Sequence, residues 1–393
     1  MFLSLFLIFF IGVIGGIVFE KIKIPKIIFY LIIGILFGSS YLNLIDSSLE
    51  AISDYLRQIA LIIILTRSGL ALDFKSLIKI GRPAILMCFL PATLEIIGIT
   101  IFGPILLNIS YLEAVLLGCV LGAVSPAIVV PRMLNMIDKK EGGDIPKIIM
   151  AGSSCDDIYV IILFYASLNA LKTSSFNFLA ILEIPTSIIL GIVLGLIIGI
   201  CLLFIFKLIS VNSTFKVIIM LGVSFMMVWL EGILKPYLGI SALLGVIVMA
   251  IIIASKISDV EEIKGSYNHL WSAFEILLFV LVGTRVKLNL VFSLEGLKIF
   301  SLILIGLCFR SIGVFLSVIG KNYNFKEVIF FISAYLPKAT VQASIGAIAL
   351  SEGLACGEIV LTASVIAIVF TAPLGAVLID NLKKIILKNA KEH

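Results

Sequence analysis

Charged residues are scarce in this sequence: Lys, Arg, Asp and Glu make up 13% of its 393 residues, whereas a typical soluble protein carries roughly 25%. Polar stretches long enough to form a separate soluble domain are also lacking. Hydrophobic residues account for 61% of the chain, and a water-soluble fold of this length could not bury that much apolar surface. The composition therefore predicts a membrane protein.

Histidine and clustered cysteine are scarce as well. The two histidines, His269 and His393, are too far apart in the sequence to suggest a metal cluster. The six cysteines have no CxxC spacing, and five of them fall within apolar segments. They are Cys88, Cys119, Cys155, Cys201, Cys308 and Cys356. This pattern predicts neither a disulfide nor a zinc site, and the sequence gives no reason to expect a cofactor.

Apolar residues occur in long blocks rather than in the alternating pattern of membrane-spanning strands. A helix needs about 20 mostly apolar residues to cross a bilayer, so the blocks predict an all-α polytopic membrane protein with about 13 transmembrane helices. The first block lacks the basic region and cleavage site of a secretory signal, and we expect a retained helix there. The predicted segments are 2–19, 26–45, 55–73, 83–108, 112–134, 147–170, 178–209, 214–234, 240–255, 269–287, 297–319, 326–350 and 358–380.

Lys and Arg are distributed unevenly between the loops. Most of them lie in the loops that follow odd-numbered segments and in the C-terminal tail. The opposite loops contain only Lys172, Lys235, Arg285, Lys287 and Lys298. Because cytoplasmic loops are enriched in Lys and Arg, we expect a cell-membrane protein with its N-terminus outside and its C-terminus in the cytoplasm. The net charge of +5 is then a topology signal that needs no nucleic-acid partner.

A few ionisable residues lie inside the apolar segments, where each costs on the order of 2.5–3.5 kcal/mol on insertion scales. Such residues usually have partners and face a cavity. For Arg67, Glu231 and Glu275 the sequence leaves two interpretations open: a structural ion pair or a functional role. The residues predicted to lie deep in the membrane are Arg67, Glu95, Asp156, Asp157, Glu231, Glu275, Arg310 and Lys338.

Asp156 and Asp157 are adjacent at the start of a strongly apolar run, "AGSSCDDIYVIILFYASL". Neighbours on a helix point about 100° apart, so one acid can face an aqueous site while the other meets a cation of the bundle. Ser153 and Ser154 lie roughly on the face of Asp157. These oxygens suit a small hard cation.

Two segments carry a proline at mid-membrane depth. Pro126, preceded by Ser125, interrupts segment 5, and Pro337, followed by Lys338, interrupts segment 12. Backbone groups freed by proline are tolerated in a membrane where they line a cavity or meet protein. Segments 4–6 and 11–13 have opposite orientation, which is the layout of an inverted-repeat transporter. Lys338 should then neutralise carbonyl ends at a break.

The first helices of these two triplets carry Glu95 and Arg310 in comparable places. Their opposite charges predict that they pair with one another across the repeat.

Three stretches, "GAVSPAIVVP" (122–131), "GSSCDDI" (152–158) and "LPKATVQASIG" (336–346), together resemble the signatures of monovalent cation–proton antiporters. The nearest branch is the NHA-type sodium–proton exchangers, and the resemblance covers essentially the whole chain. It implies a homodimer with a moving core formed by 82–170 and 296–382. It also implies scaffold helices in 1–74 and 214–290, a linker helix at 178–209 and a short tail at 383–393.

The resemblance further implies that Asp157 binds the transported sodium ion and that Asp156 supports the site. In some relatives the first acid pairs with a lysine, where this chain has Arg310. Arginine stays protonated at working pH, which favours one-for-one exchange over an electrogenic cycle.

A carboxylate that binds either a proton or Na⁺ (or Li⁺), but not both, couples the proton gradient to the gradient of the cation. Backbone carbonyls near 124–126, Ser125, Ser154 and Asp157 would replace part of the ion's water shell. The main alternative is a sodium-coupled organic-solute symporter. An intramembrane aspartyl protease is disfavoured, because adjacent acids cannot face each other. Ion selectivity among Na⁺, Li⁺ and K⁺ and the stoichiometry stay open.

Overall fold

The computed structural model describes residues 1–22, 24–38, 41–71, 81–172, 178–209, 211–234 and 240–389. Each of the thirteen predicted segments contains helix, and the regular structure of the described part is entirely helical. In chain order the helices are α1 (Phe2–Lys21), α2 (Lys26–Phe37), α3 (Ser47–Ala71), α4 (Arg82–Met87), α5 (Leu90–Leu107), α6 (Tyr111–Leu121), α7 (Pro126–Asp138), α8 (Ile145–Lys172), α9 (Phe178–Leu208), α10 (Ser213–Leu234), α11 (Ala242–Lys256), α12 (Val260–Gly283), α13 (Leu288–Val291), α14 (Leu294–Val318), α15 (Phe325–Ala334), α16 (Thr340–Ile345), α17 (Ile348–Ser351) and α18 (Gly357–Asn389).

Eight helices in the described ranges are long and apolar enough to cross a membrane. They span Phe2–Lys21, Arg82–Leu107, Tyr111–Ile137, Ile145–Lys172, Ile189–Leu208, Ser213–Leu234, Leu294–Val318 and Gly357–Lys383. Three shorter apolar helices span Lys26–Phe37, Ala242–Lys256 and Thr340–Ser351. The predicted all-α, multi-span membrane protein is therefore confirmed.

Both predicted interruptions are present. Segment 5 divides into α6 and α7, and Pro126 is the first residue of α7. Segment 12 divides after α15, and helix resumes at Thr340. The first halves begin alike, with a capping box at Ser110–Glu113 and another at Asn324–Glu327, which satisfies two backbone N–H groups at each helix start.

Segment 4 differs from the prediction of one continuous helix. It is interrupted between Met87 and Leu90, so α4 and α5 are separate. Pro91, the second residue of α5, explains the interruption, since it has no N–H to donate and its ring clashes with the carbonyl four residues back. Helix α12 also begins nine residues before the predicted start at 269, because a charged stretch extends the helix beyond its apolar part.

The chain divides into two compact units. The first comprises Met1–Asp54, Phe74–Ser167 and Ile276–His393, and therefore contains both broken segments. Within it α5 packs along α14, and Gly313 approaches the backbone of Pro91 so closely that an added Cβ would lie 2.6 Å from its Cα. This close packing brings Glu95 and Arg310, one on each helix, within contact of each other.

The second unit comprises Tyr55–Asp73 and Leu168–Glu275. Helix α9 packs on α11 through glycines spaced four residues apart. An added Cβ at Gly191 or Gly195 would lie 2.4 Å from the carbonyl oxygen of Ser241 or Gly245. Small residues at this spacing allow helices to approach closely in a membrane.

Candidate functional site

The two interrupted segments meet at their breaks. The backbone N–H of Ser125 donates to the carbonyl of Pro337 across 2.7 Å. Next to it the N–H of Lys338 donates to Thr371 Oγ1 of α18 across 2.9 Å. The non-helical backbone at 123–125 and 336–339 is thus bonded to protein, as backbone at membrane depth requires.

The carbonyls at the end of α6, residues 120–123, are bonded by three buried side chains. Gln342 Nε2 donates to the first and the last of them, at 3.1 and 3.0 Å. Lys338 Nζ donates to the second and Arg310 Nη1 to the third. The C-terminal end of a helix carries partial negative charge, so two cations and an amide stabilise this broken end. Lys338 thus bonds a carbonyl end as predicted, but that of the other broken segment, at Leu121 of α6, and not one beside Lys338 itself.

Arg310 is fully buried and contacts two acids on other helices. Its Nη1 lies 2.8 Å from Glu95 Oε2, and its Nη2 lies 2.8 Å from Asp156 Oδ2. Its Nε donates to the carbonyl of Tyr335 across 2.6 Å, and the guanidinium lies 5.4 Å from the centre of that residue's ring. The predicted pairing of Glu95 with Arg310 is confirmed, and Arg310 also connects this pair to the acidic site on α8.

Lys338 completes a four-charge network. Its Nζ lies 2.7 Å from Glu95 Oε1 and 2.9 Å from Oε2. Glu95 is therefore shared between Lys338 and Arg310, while Asp156 pairs with Arg310 alone within the described residues. With both acids ionised, the two positive and two negative charges balance without Asp157.

Asp156 and Asp157 have different surroundings. Asp156 Oδ2 accepts bonds from Arg310 and from the backbone N–H of Val124, the latter at 2.9 Å. Asp157 has 3% of its surface exposed, and no ion pair connects it to any described residue. An ionised Asp157 would therefore be a buried, unmatched negative charge, and such charges need a bound cation or a proton.

Four buried oxygen atoms around the breaks have no hydrogen-bond partner within the described part of the chain. Buried polar atoms of this kind are rare and call for an unseen water or ion. Three belong to predicted site residues, and the fourth belongs to Gln342. They are Ser125 Oγ, Asp156 Oδ1, Asp157 Oδ1 and Gln342 Oε1. Carboxylate, hydroxyl and amide oxygens are the ligands that hard cations prefer.

The structure thus brings together Asp156, Asp157 and Ser125 with the supporting charges Arg310, Glu95 and Lys338 and the broken-helix prolines Pro126 and Pro337. Ser154 lies on α8, but its side chain is outside the part of the chain that the structure describes. Among the described residues no group of three or more His, Cys, Asp or Glu side chains could hold a metal ion.

The other three charges predicted inside apolar segments, Arg67, Glu231 and Glu275, lie in the second unit. Glu231 Oε2 accepts a bond from the backbone N–H of Ala242 across 2.9 Å, at the start of α11. An acid at a helix N-terminus is stabilising, so the contact is structural. Arg67 and Glu275 interact electrostatically within the same unit.

Sequence reasoning missed Gln342. The available signal was an amide side chain inside a predicted transmembrane segment, four residues after Lys338.

Solved structures share this fold. The sodium proton antiporter MjNhaP1 from Methanocaldococcus jannaschii at pH 8 aligns with a TM-score of 0.80 and 20% identity, covering 98% of this chain and 97% of that one. Another structure of MjNhaP1 aligns with a TM-score of 0.70. The fold is therefore that of a multi-span membrane antiporter.

Curated relatives extend the match to sequence. Sodium/hydrogen exchanger 9B2 of Mus musculus is 32% identical over 99% of this chain and 74% of its own length. Sodium/hydrogen exchanger 9B1 of Homo sapiens is 31% identical over 96% of this chain and 77% of its own. The family description "Sodium/hydrogen exchanger, transmembrane" matches residues 6–380. The chain belongs to the sodium/hydrogen exchanger family, a family of transporters and not of enzymes.

Proposed function

We propose that this protein exchanges Na⁺ (or Li⁺) for H⁺ across the membrane, and that the cation and the proton compete for Asp157. The observation that carries the proposal is the charge balance of the site. Arg310 and Lys338 are matched by Glu95 and Asp156. Asp157 therefore needs a positive charge of its own, and either a proton or a cation supplies it.

The unpartnered oxygens support a cation at this place. Among the described residues Asp157 Oδ1, Ser125 Oγ and Gln342 Oε1 are buried without a hydrogen-bond partner, and in this proposal they are oxygens available to Na⁺. Asp156 keeps its ion pair with Arg310 and so holds in place helix α8, which carries Asp157. Since Arg310 keeps its proton throughout, each cycle moves one Na⁺ against one H⁺ and no net charge.

Alternating access follows an elevator-type movement in this proposal. Segments 82–170 and 296–382 form the moving core, 1–74 and 214–290 the scaffold of a homodimer, and 178–209 the linker. Both core ranges fall almost wholly in the first compact unit, which also contains residues 1–54 of the proposed scaffold. The distribution of Lys and Arg supports an N-terminus outside and a cytoplasmic C-terminus.

Reconstituted protein with a pH-sensitive dye inside the vesicles tests this function. Stepwise addition of Na⁺, Li⁺ and K⁺ should release protons with Na⁺ or Li⁺, and lowering the pH should raise the apparent KM for Na⁺ by up to about tenfold per unit. Asp157→Asn should abolish exchange while the protein still folds and inserts. Glu358→Gln, which removes a half-exposed acid paired with Lys287, is the matched control and should exchange normally.

Robust Na⁺ uptake driven by a pH gradient in Asp157→Asn would refute the proposal. Sodium-dependent uptake of an organic solute without proton release would favour the symporter alternative instead.

A further inference from the structure

The hydroxyl of Tyr335 is not used by the proposed exchange, yet this side chain is fully buried beside the candidate site. Tyr335 directly follows α15, where segment 12 breaks. Its hydroxyl donates to the carbonyl of Met87 across 3.2 Å, and Met87 is the last residue of α4. The side chain therefore connects the break in segment 12 to the interruption between α4 and α5.

The carbonyl of Met87 needs this donor because of Pro91. In a continuous helix that carbonyl would accept the N–H of the residue four positions later, which here is Pro91, and proline has no N–H. A carbonyl freed in this way is tolerated at membrane depth where protein bonds it. The hydroxyl of Tyr335 supplies the missing donor.

The same hydroxyl also lies against the helix that carries both acids. A Cβ added to Gly152 of α8 would lie 2.1 Å from Tyr335 Oη and 2.7 Å from Met87 Cβ. Because glycine has no side chain, α8 can approach the hydroxyl this closely. Gly152 precedes Asp156 by four residues, so the contact lies one helical turn before the acidic pair.

The backbone of Tyr335 contacts the cation that pairs with Asp156. Its carbonyl accepts a bond from Arg310 Nε across 2.6 Å, and its ring centre lies 5.4 Å from the guanidinium. Arg310 Nη2 in turn lies 2.8 Å from Asp156 Oδ2. One aromatic residue thus contacts the guanidinium at its backbone end and α8 at its hydroxyl end.

We propose that Tyr335 is a positioning residue that fixes α8 relative to Arg310 and thereby sets the affinity of Asp157 for Na⁺. This inference rests on the proposed function. A bound cation needs several oxygens at matched distances, and a binding site must be held within about 0.5 Å of its productive geometry. A proton needs only one oxygen of Asp157. A displaced α8 should therefore weaken Na⁺ binding and leave proton binding unchanged.

Tyr335→Phe tests this role, because it removes the hydroxyl and keeps both the ring and the backbone carbonyl. In the reconstituted exchange assay it should raise the apparent KM for Na⁺ by roughly tenfold, which is less than the order of 100-fold that a displacement of about 1 Å can cost. The maximal rate per folded protein should stay within about twofold of the wild type. The factor by which the apparent KM rises between two pH values should also match the wild type.

A purely structural hydroxyl predicts a different result. Its loss would lower the unfolding temperature and the amount of active protein, and the KM of the remaining protein would not change. Tyr323→Phe, which removes a hydroxyl from a tyrosine packed against the same apolar cluster, is the matched control and should exchange like the wild type.

Gly152→Ala provides a second test, of the contact itself. The added Cβ would meet the hydroxyl of Tyr335, and Tyr335→Phe removes that nearest atom. The two substitutions should therefore be non-additive. The double variant should have an unfolding temperature and a KM closer to the wild type than Gly152→Ala alone. Equal or greater damage in the double variant would contradict the proposed contact. Should Gly152→Ala not fold, the KM of Tyr335→Phe decides the question.

The outcomes separate this inference from the proposed function. A wild type that releases no protons when Na⁺ is added would refute the exchange, and the unfolding temperatures of the single and double variants would still test the contact between Tyr335 and α8. A wild type that exchanges, together with an unchanged KM in Tyr335→Phe, would overturn the positioning role and leave the exchange intact.

Discussion

Arg310 and Asp156 form an ion pair inside the protein, with 2.8 Å between Nη2 and Oδ2 and neither side chain exposed. The next residue on the same helix, Asp157, has no such pair among the described residues. Two adjacent carboxyl groups thus have different partners, because successive side chains of a helix point about 100° apart. The two acids should respond differently to substitution.

Removal of the Asp156 charge should destabilise the protein far more than removal of the Asp157 charge. Asp156→Asn leaves Arg310 with one acid fewer in a buried site, and breaking such a pair costs roughly 3–5 kcal/mol. Asp157→Asn removes an unmatched charge, so its unfolding temperature in detergent should equal or exceed that of the wild type. Circular dichroism during heating measures both. A larger loss of stability in Asp157→Asn would contradict the assignment of Asp156 as the structural acid.

Ser125→Ala should separate ion binding from folding. Ser125 Oγ is buried without a partner among the described residues, so its removal costs no protein hydrogen bond and should leave the unfolding temperature unchanged. Loss of a contact to a charged ion is worth roughly 1.5 kcal/mol or more, which corresponds to an increase of about tenfold in the apparent KM for Na⁺. Ser317→Ala, which removes a buried hydroxyl bonded to Gly313 on its own helix, is the control. An unchanged KM in Ser125→Ala would exclude Ser125 as a ligand.

Gln342→Leu should lower both stability and sodium affinity. The substitution removes the donors to the carbonyls of residues 120 and 123, and leaving such groups unpaired costs about 1–3 kcal/mol each. It also removes Oε1, one of the unpartnered oxygens. Ser344→Ala, which loses only a bond to Thr340 on the same helix, should change neither. A stable, fully active Gln342→Leu would show that this amide has no role at the break.

Membrane voltage should not drive exchange. Because Arg310 keeps its proton and Asp157 binds one positive charge, either H⁺ or Na⁺, in each direction, each cycle moves no net charge. Vesicles with a potassium diffusion potential set by valinomycin should show the same exchange rate at inside-negative, zero and inside-positive voltage. Exchange that is driven by membrane voltage would refute the one-for-one cycle. Competition between Na⁺ and H⁺ at Asp157 would still be tested separately, by the pH dependence of the apparent KM for Na⁺.

The sequence predicted the helices well and their interruptions unevenly. The breaks before Pro126 and at Pro337 could be read from prolines in the middle of long apolar segments. The break at Cys88–Phe89 was missed, since Pro91 lies near the start of its segment, where proline is ordinarily compatible with a helix. Gln342 was missed because a single amide carries no charge to mark it as unusual in an apolar segment.

By itself, the sequence determined the membrane class, the all-helical architecture, the positions of the apolar segments and the acidic pair. These depend on composition and on patterns within about twenty residues, which set local structure directly. Only the tertiary structure decided which charges pair. Arg310 lies 215 positions from Glu95 and 154 from Asp156, and contacts over such distances depend on how helices pack. Packing alone therefore decides that Asp156 is paired with Arg310 and that Asp157 has no ion pair among the described residues.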